Sequence, residues 1–421
     1  MSDPLTVVSV TPLPLGADSR TLKQAMTLAR HGYRSIVLAD RQRWELHCDE
    51  SIRLDPGRTS EESVSPVGEV RSRWRQFRRA NLHRIIQAPL FCCWLVLFAY
   101  RYIWQVLVRL PSASLYCVHE RQSFPAVWLR SRLSKTPIVY DAHDFYSEIE
   151  VDAEKTSFNR RFLSPFLLWL ERCCINHSSH VFTVSEGVAF LLNKRFGAKA
   201  VVVRNCHDKR LDRSVIQDVR AMFGLQKNEF LLVTIGNCKK GQLICSALEA
   251  LLQLPPHVHL AFIGGGYGVY TRAIREYSLG ARVHLVGFLP PNELVPSVRS
   301  ADAALILYYP RSVNYRAALP NGFFQSLAAE LPVLYPELPE IAAIMRSGGC
   351  GICIDPQQPK SIANAVRRLL ADRDAAGTSG QRSEMKSQYS WELEERIFMS
   401  HIVQVMAHFN TYRKPASVSR S

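Results

Sequence analysis

The chain has 421 residues, which is enough for two or three domains of ordinary size rather than one. Its 47% hydrophobic and 21% charged residues are typical of a folded globular protein and exclude the disordered, collagen-like and coiled-coil classes. The 52 lysines and arginines exceed the 37 aspartates and glutamates, giving a net charge of +15. This excess favours an anionic partner such as nucleic acid, an acidic membrane surface or a phosphorylated ligand.

The first half of the chain alternates predicted strands and helices. Residues 41–70 are polar and are predicted to form a loop, and residues 71–84 contain six arginines ahead of the apolar segment 85–110. The predicted elements are strand 6–10, helix 21–31, strand 34–38, strand 115–119, helix 124–133, strand 138–141, helix 160–177, strand 180–184, helix 186–196 and strand 200–203.

The second half repeats the alternation, and the break falls near residues 204–213. Two rounds of strand and helix predict an α/β fold with two doubly wound parallel sheets. Residues 372–390 are polar, rich in glycine and serine, and precede a last predicted helix, 391–408. The other predicted elements are helix 214–223, strand 230–235, helix 242–252, strand 258–263, helix 270–277, strand 283–286, helix 293–300, strand 303–307, helix 323–329, strands 332–334 and 351–354, and helix 359–371.

The eleven cysteines are scattered through apolar stretches, which indicates buried free thiols in a reducing compartment. Cys350 and Cys353 form a Cys-x-x-Cys pair, but no second pair lies at zinc-binding spacing, and the pair runs into a strand rather than a helix. We interpret it as two small residues at a turn. The N-terminus lacks a signal-peptide pattern, and the apolar run 85–100 is shorter than the about 20 residues of a membrane-spanning helix.

Ligands of open parallel sheets bind beyond the carboxyl ends of the strands, often at helix N-termini. The loop GNCKKG, from Gly236 to Gly241, follows a strand and opens a helix. Its backbone N–H groups and Lys239 or Lys240 can therefore meet a phosphate, and a solvated lysine pair in a turn is the alternative. The glycine run around Gly265 holds the same position one strand later and allows a close approach of the backbone.

A third strand-to-helix connection, in ALPNGFFQSLAAELPV, is more specific. Asn321 is predicted as the N-cap of the next helix, and the N-terminus of that helix is a suitable diphosphate site. Gln325, one turn into the helix, is expected to point towards the same ligand, whereas a polar residue on a surface helix is the alternative.

Polar side chains also end two strands of the first half. In YDAHDFYSE, His143 and Asp144 follow a strand, and such a pair suits general acid–base catalysis or hydroxyl binding. A structural histidine is the alternative interpretation. His119 and Glu120 end the preceding strand in the same way.

The order of these segments resembles that of the family-4 glycosyltransferases. The similarity covers most of the chain and includes VVSVTPLPLGADSRTLKQAM, VYDAHDFYSE, VFTVSEGVAFLL, VVVRN, LLVTIGN with KKG, FIGGG, VHLVGFLPPNELVPSVRSADAAL, ALPNGFFQSLAAELPV and GICIDPQQPKSIANAVRRLLAD. The resemblance implies a GT-B fold with two Rossmann-like domains, a last helix that returns to the first domain, and retaining transfer of a sugar from a nucleotide sugar. The implied domains are an acceptor-side domain, 1–207, a nucleotide-sugar domain, 208–390, and a C-terminal helix with a basic tail, 391–421.

The resemblance also assigns roles to individual residues. It implies that His143 and Asp144 are catalytic. The phosphate-site loops and the lack of a carboxylate-rich metal motif predict that no metal ion is needed, and no cofactor other than the nucleotide sugar is expected. The implied donor-binding residues are Gly16, Gly236, Lys239, Lys240, Gly265, Asn321, Gly322, Phe323 and Gln325.

The chain departs from the family pattern at several of these positions. Gln325 and Ala317 replace two glutamates, Asn237 replaces a basic residue, Gly322 a lysine, and Glu330 a glycine. An amide accepts a ribose hydroxyl without charge assistance, which lowers affinity by about 1 kcal/mol. A catalytically impaired scaffold or binding subunit of a glycan-synthesis complex is therefore the alternative function.

The expected partners are a UDP- or GDP-sugar, a glycan or lipid-linked acceptor of surface glycan synthesis, and an anionic membrane surface. Segment 71–110 places arginines beside tryptophan, phenylalanine and leucine, which is typical of an interfacial helix on the cytoplasmic face of a membrane. Burial of 88–108 against the first sheet is the alternative. Nucleic acid is not an expected partner, because the positive charge is the only feature that favours it.

Overall fold

The structure, a computed structural model, describes residues 4–39, 42–47, 100–146, 164–212, 218–310 and 312–413. Within these residues two sheets form, each with helices packed on both faces, as the alternation of strands and helices predicts. The arginine run 71–84 and the apolar run 85–99 lie outside the described residues.

The first sheet has seven strands in the order β3-β2-β1-β4-β5-β6-β7. All of its pairings are parallel except that of β3, which runs antiparallel to β2 along the edge. Its elements are β1 (Thr6–Thr11), α1 (Ser19–Arg30), β2 (Arg34–Ala39), β3 (Gln42–Leu46), α2 (100–109), β4 (Leu115–His119), α3 (Phe124–Ser134), β5 (Ile138–Ala142), α4 (Ser164–Asn176), β6 (His180–Thr183), α5 (Glu186–Phe196) and β7 (Val201–Val202).

Strand β3 corrects part of the predicted loop 41–70. The strand is polar at most positions and so gives no apolar alternation, but it is held on β2 by its ladder and by a two-bonded ion pair of Arg34 with Glu45. Trp44 packs against the buried cluster under the sheet edge. These contacts depend on tertiary pairing rather than on local sequence pattern.

The second sheet has six parallel strands in the order β10-β9-β8-β11-β12-β13. Its elements are α6 (Val219–Met222), β8 (Phe230–Ile235), α7 (Ile244–Leu252), β9 (Val258–Ile263), α8 (Thr271–Glu276), β10 (Val283–Gly287), α9 (Pro291–Val298), β11 (Ala303–Leu305), α10 (Val313–Ala317), α11 (Asn321–Ala328), β12 (Val333–Pro336), α12 (Pro339–Ser347), β13 (Ile352–Ile354), α13 (Pro359–Ala371), α14 (Ser379–Gln388) and α15 (Trp391–Arg413).

Helix α15 leaves the second sheet and packs on the first, as predicted. Trp391, Phe398 and Ile402 are fully buried in a cluster that includes Val7 of β1 and Phe182 of β6. This face of the first sheet is covered by α15 together with α1, because the other helices of the domain cover its opposite face.

Helix α2 is the described part of the predicted membrane segment 71–110. Tyr102 and Val106 are buried against the first sheet, as the burial alternative expects, while Tyr100, Trp104 and Val108 are more than half exposed. No helix among the described residues is both long enough and apolar enough to cross a membrane.

Cys350 and Cys353 lie on either side of the start of β13. Cys350 is buried, whereas Cys353 is exposed and its thiol donates a hydrogen bond to Glu337 Oε2 at 3.0 Å. Both thiols are free, in keeping with the interpretation of reduced cysteines.

Candidate functional site

The carboxyl ends of the strands of both sheets face one cleft, and a buried ion pair organises the side formed by the first sheet. The guanidinium of Arg20, in the first turn of α1, donates to both carboxylate oxygens of Asp141 at 2.8 Å. Gln24 donates to the same carboxylate at 2.6 Å, and Arg20 also donates to the backbone oxygen of Val203 at 2.5 Å. These bonds fix the end of β5 against α1 and β7.

His143 extends this network into the cleft. Its Nε2 lies 3.5 Å from Asp141 Oδ2 and 3.2 Å from His119 Nδ1. Burial lowers the pKa of His143, but the hydrogen bond and charge of Asp141 outweigh it and hold the pKa above its ordinary value. His143 is therefore poised to carry a proton on the cleft side of the sheet.

Asp18, the N-cap of α1, faces the same two histidines. It accepts hydrogen bonds from Thr11 Oγ1 and from the backbone and side chain of Thr21. Burial raises its pKa, but His143 and His119, together with the hydrogen bonds from Thr21, outweigh burial and hold the pKa below its ordinary value. Asp18 therefore stays ionised and favours the charged form of His143.

His119, Asp141 and His143 each offer one ligand atom, and these atoms lie within 4.8 Å of one another. Both oxygens of Asp141 already accept from Arg20. A divalent cation on Asp141 would lie close to that guanidinium charge, so the group fits a hydrogen-bonded network better than a metal site.

Asp144 links the two domains instead of standing alone beside His143. Its Oδ1 accepts from Asn314 Nδ2 at 3.2 Å, and Asn314 Oδ1 accepts from the backbone of Phe145 at 2.8 Å. Asn314 lies on α10 of the second domain, so one side chain bonds two consecutive residues of the first. Arg20, Gln24 and Asn314 were not predicted as site residues from the sequence, because no spacing marks an isolated polar residue in a helix.

The two glycine loops of the second sheet interlock at the cleft. Asn237 Oδ1 accepts from the N–H of Gly265 at 2.8 Å, and the N–H of Cys238 donates to Gly265 O at 2.9 Å. A Cβ at Gly264, where φ is +133°, would lie 2.5 Å from Gly236 O. Asn237 thus ties together the loops after β8 and β9, and the chain uses an amide where the resembled family has a cation.

The two lysines of the first of these loops differ in surroundings. The pKa of Lys239 is held above its ordinary value, chiefly by Tyr308 and then by Asp144 and Tyr315. Lys239 is therefore electrostatically coupled to Asp144 across the cleft. The side chains of both lysines are exposed, and the backbone oxygen of Lys240 accepts from the hydroxyl of Tyr315.

Helix α11 begins against the end of β8, because a Cβ at Gly322 would lie 2.3 Å from Ile235 O. Only glycine allows this approach, which explains the absence of the lysine that the resembled family has there. The prediction of Asn321 as the N-cap is wrong: Pro320 holds that position, and Asn321 Oδ1 accepts from Asn205 Nδ2 at 2.6 Å. Phe323 is fully buried, and its N–H donates to Pro320 O.

Gln325 and Asn321 line a narrow recess of about 20 Å³ between the two domains. Gly16 lies nearby in the chain, in a short 3-10 turn, Leu15–Ala17, that leads into α1. Burial lowers the pKa of Lys23, which lines the same recess, to about 7. The recess is also lined by Ser19, Leu22, Asn205, His207, Asp208, Leu211 and Pro291.

Two family models match the chain. One, described as "Glycosyl transferase 4-like domain", matches residues 16–206, and the other, "Glycosyl transferases group 1", matches residues 229–372. The matches fall on the two sheets and take in both sides of the cleft.

Curated relatives match over part of their length. D-inositol 3-phosphate glycosyltransferase of Nocardia farcinica is 24% identical over 41% of this chain and 40% of its own length. The enzyme of the same name from Corynebacterium glutamicum is 24% identical over 46% of this chain and 47% of its own length. The chain thus spans less than half the length of these relatives.

Solved structures with similar folds cover nearly the whole chain. Sucrose-phosphate synthase from Thermosynechococcus elongatus has a TM-score of 0.67 at 15% identity, covering 96% of this chain and all of its own. Anabaena HepE in complex with UDP and glucose has a TM-score of 0.64 at 15% identity, covering 95% and 100%. The lipopolysaccharide glycosyltransferase WaaG has a TM-score of 0.58 at 13% identity, covering 94% and 98%. The fold is therefore GT-B.

Proposed function

We propose, from the membership of this chain in the family-4 glycosyltransferases, that it transfers a sugar from a nucleotide sugar to a hydroxyl group of a glycan or lipid-linked acceptor. The observation that carries the proposal is the arrangement across one cleft of the interlocked glycine loops on one side and the His143–Asp141 pair on the other. In the reaction, the bond from the anomeric carbon to the nucleotide diphosphate breaks, a bond to the acceptor oxygen forms, and the hydroxyl proton is released. The family resemblance implies retention of configuration.

The leaving diphosphate needs positive charge as the bond breaks. Lys240 lies on the first glycine loop, and the N-terminus of α11 approaches the end of the same strand, β8. An exposed ammonium and a helix N-terminus together stabilise developing phosphate charge without a metal ion. Lys239, which is coupled to Asp144, adds positive potential and links donor binding to the other domain.

Gln325 is proposed to hold the ribose, and His143 to contact the donor sugar or the reacting hydroxyl. Gln325 lies on α11 next to the interdomain recess, where its amide can accept a hydroxyl. The solved complex of HepE with UDP-glucose supports a uridine nucleotide. A GDP-sugar is the alternative donor.

A specific feature favours a second function, that of a non-catalytic scaffold or binding subunit. Ala317 occupies the place of a family glutamate, and the site around it is closely packed. A Cβ at Gly187 would lie 3.0 Å from Ala317 Cβ, and Ser185 Oγ donates to Ala317 O at 2.6 Å. The packing leaves little space for a longer side chain while the two domains are in contact.

A donor screen separates the two functions. Purified protein is incubated with UDP- and GDP-sugars, with and without lipid-linked acceptors, and nucleotide release is measured in the presence and absence of EDTA. The enzyme hypothesis expects release that EDTA does not stop. Nucleotide-sugar binding without any release favours the scaffold function, and release abolished by EDTA contradicts the metal-independent mechanism.

We further propose that the protein docks on the cytoplasmic face of a membrane through segment 71–110. Support comes from the six arginines of 71–84 and from the exposed Tyr100, Trp104 and Val108 of α2, which form one apolar stripe at helical spacing. Co-sedimentation with anionic liposomes at low salt, and its loss at high salt or with neutral lipid, is the expected result. Protein that stays in the supernatant with anionic liposomes at low salt contradicts the proposal.

A further inference from the structure

Glu120 follows β4 directly at the edge of the cleft and has an unusual backbone. Its φ is 64° and its ψ is 143°, a combination that is essentially restricted to glycine. A residue with a side chain is held in such a conformation only where its surroundings force it, and such residues concentrate at active and ligand sites. Since glycine would be the more stable residue in this conformation, the side chain of Glu120 is expected to have a function.

The surroundings place the carboxyl group among the loops that follow three neighbouring strands. Asp18 follows β1, and His143 and Asp144 follow β5; all three are close enough to influence the charge of Glu120. Burial raises the pKa of Glu120, although His143 opposes this. The carboxyl group is thus half withdrawn from solvent on the cleft side of β4.

If Glu120 had a structural role, its carboxylate would be expected to form a hydrogen bond or ion pair that offsets the cost of the strained backbone. Among the residues that the structure describes, none donates a hydrogen bond to the Glu120 carboxylate or forms an ion pair with it. The neighbouring Arg121 instead lies 5.1 Å from the ring centre of Tyr146. Glu120 therefore keeps its full capacity to accept hydrogen bonds from a ligand.

We infer that Glu120 is an acceptor-binding residue, whose carboxylate accepts a hydrogen bond from a hydroxyl group of the sugar acceptor. The charged groups that act on this position are His143 and Arg121, which are positive, and Asp18 and Asp144, which are negative. With the carboxylate of Glu120 itself, the negative charges are in excess by one, which disfavours a phosphate here and favours a neutral polyhydroxyl group. The donor diphosphate is accordingly left to the glycine loops of the other domain. This inference rests on the proposed glycosyltransferase function and deepens it.

The test compares two binding reactions on the same protein. Calorimetric titration measures the Kd of UDP and of GDP, and then, with saturating nucleotide, the Kd of octyl β-D-glucopyranoside as a hydroxyl-bearing probe below its micelle concentration. In Glu120→Gln, loss of the charge-assisted bond should weaken probe binding about tenfold and change nucleotide binding less than about twofold. Glu330→Gly is the matched control, because Glu330 also has a left-handed backbone, with φ 58°, but lies in the turn after α11.

The outcomes separate the inference from the function on which it rests. Wild-type protein that binds neither UDP nor GDP overturns the proposed function. Nucleotide binding with no probe binding, or with equal probe affinity in wild type and Glu120→Gln, overturns the role of Glu120 alone. An equal loss of probe affinity in Glu330→Gly does the same.

A second pair of variants tests the strain itself. Glycine adopts the backbone angles of Glu120 freely, whereas alanine does not. Glu120→Gly should therefore have a Tm about 2 °C or more above that of Glu120→Ala, while both bind the probe weakly. Equal Tm values would show that the backbone at this position is not held against its preference.

Discussion

Arg20 and Asp141 form an ion pair that is almost inaccessible to solvent, with 2% and 1% of the two side chains exposed. Removing one partner of such a pair leaves a buried charge without compensation. Arg20→Leu should therefore lower the free energy of unfolding by about 3–5 kcal/mol in urea denaturation. Arg272→Ala, which breaks an exposed pair with Glu276 on α8, is the control and should cost less than about 0.5 kcal/mol. Equal losses in the free energy of unfolding would show that burial does not make the Arg20–Asp141 pair more important for stability than an exposed pair.

The same ion pair has a defined pH dependence. Burial raises the pKa of Asp141, but Arg20 and the two histidines hold it well below the ordinary aspartate value. The stabilisation is therefore complete above that ordinary value and is lost progressively as the pH falls below it towards and through the lower pKa of the folded protein.

Lys240 is the residue whose removal most directly tests the diphosphate site. Lys240→Ala should lower kcat/KM for the nucleotide sugar at least about tenfold, because one charge-assisted phosphate contact is lost. Lys227→Ala, an exposed lysine on the turn before β8, is the matched control. Unchanged kinetics in Lys240→Ala would show that the diphosphate lies elsewhere, with Lys239 as the next residue to test.

At the level of residues, the sequence predicted the polar side chains that follow the strands. It did not predict the distant residues that form hydrogen bonds with the strand ends and position them. His143 and Lys240 are found because the carboxyl ends of parallel strands are marked by local pattern. Arg20 and Asn314 lie 121 and 169 residues from the groups that they bind, Asp141 and the backbone of Phe145. Contacts at such separations leave no trace in the spacing of a single sequence.

Among the elements, α11 depends on the close approach of its first turn to β8. Gly322→Ala would bring a Cβ within 2.3 Å of Ile235 O, so the helix must move away from the strand. We expect a loss of about 2 kcal/mol or more in stability and weaker nucleotide binding, measured by thermal melting and titration calorimetry. Gly268→Ala, with no atom within 4 Å of the added Cβ, should change neither. Unchanged stability and nucleotide binding in Gly322→Ala would contradict the explanation that close packing against β8 excludes the family lysine at this position.

The contact of α15 with β6 should weaken in acid. His180 stacks on His401 with ring centres 4.5 Å apart, and burial lowers the pKa of His180 to about 4 from 6.5. Because the unfolded chain binds protons first, this stabilisation is complete above about pH 6.5 and falls between pH 6.5 and 4. Allowing for solvent screening of the partly exposed ring, His180 should account for about 1 kcal/mol of the stability that wild type loses between pH 7 and 5 in denaturant titrations.

His180→Phe should reduce this pH dependence, because the substituted ring does not titrate. His257→Phe, at an exposed histidine before β9, is the control and should retain the wild-type profile. The same pH profile in wild type and His180→Phe would assign the effect to other groups.

Buried strands were predicted to within one or two residues because they form continuous apolar runs between turn residues. The polar segment 372–390 gave no such signal, yet it contains α14, which begins with a capping box in which Thr378 and Gln381 bond each other's backbone. One buried side chain, Met385, fixes this helix on the cluster around α11 and α12. Helix α6 is shorter than the predicted 214–223, with four residues inside the described range.

In the whole molecule, Asn314 is the contact that most directly couples the two sides of the cleft. Asn314→Ala removes its bonds to Asp144 and to the backbone of Phe145. The domains should separate more readily, which small-angle scattering would detect as a larger radius of gyration, and donor KM should rise about fivefold. Asn364→Ala, on the exposed side of α13, should leave both unchanged. A wild-type scattering curve for Asn314→Ala would show that this side chain does not hold the cleft closed.

The return of α15 to the first sheet determines how the domains can move. Residues 207 and 390 pair as a parallel β-bridge, and the N–H of Trp391 donates to His207 O, so the chain passes between the domains twice at one place. Because the two crossings are fixed side by side, they hinder twisting and sliding of one domain against the other. Rotation of the domains about the line through the two crossings is the motion that they hinder least. Such a rotation changes the distance between the loop of residues 236–241 in the second domain and the His143 network of the first, which the coupling of Lys239 to Asp144 brings together in this orientation. The geometry of sugar transfer is therefore restricted by the covalent path of the chain as well as by contacts in the cleft.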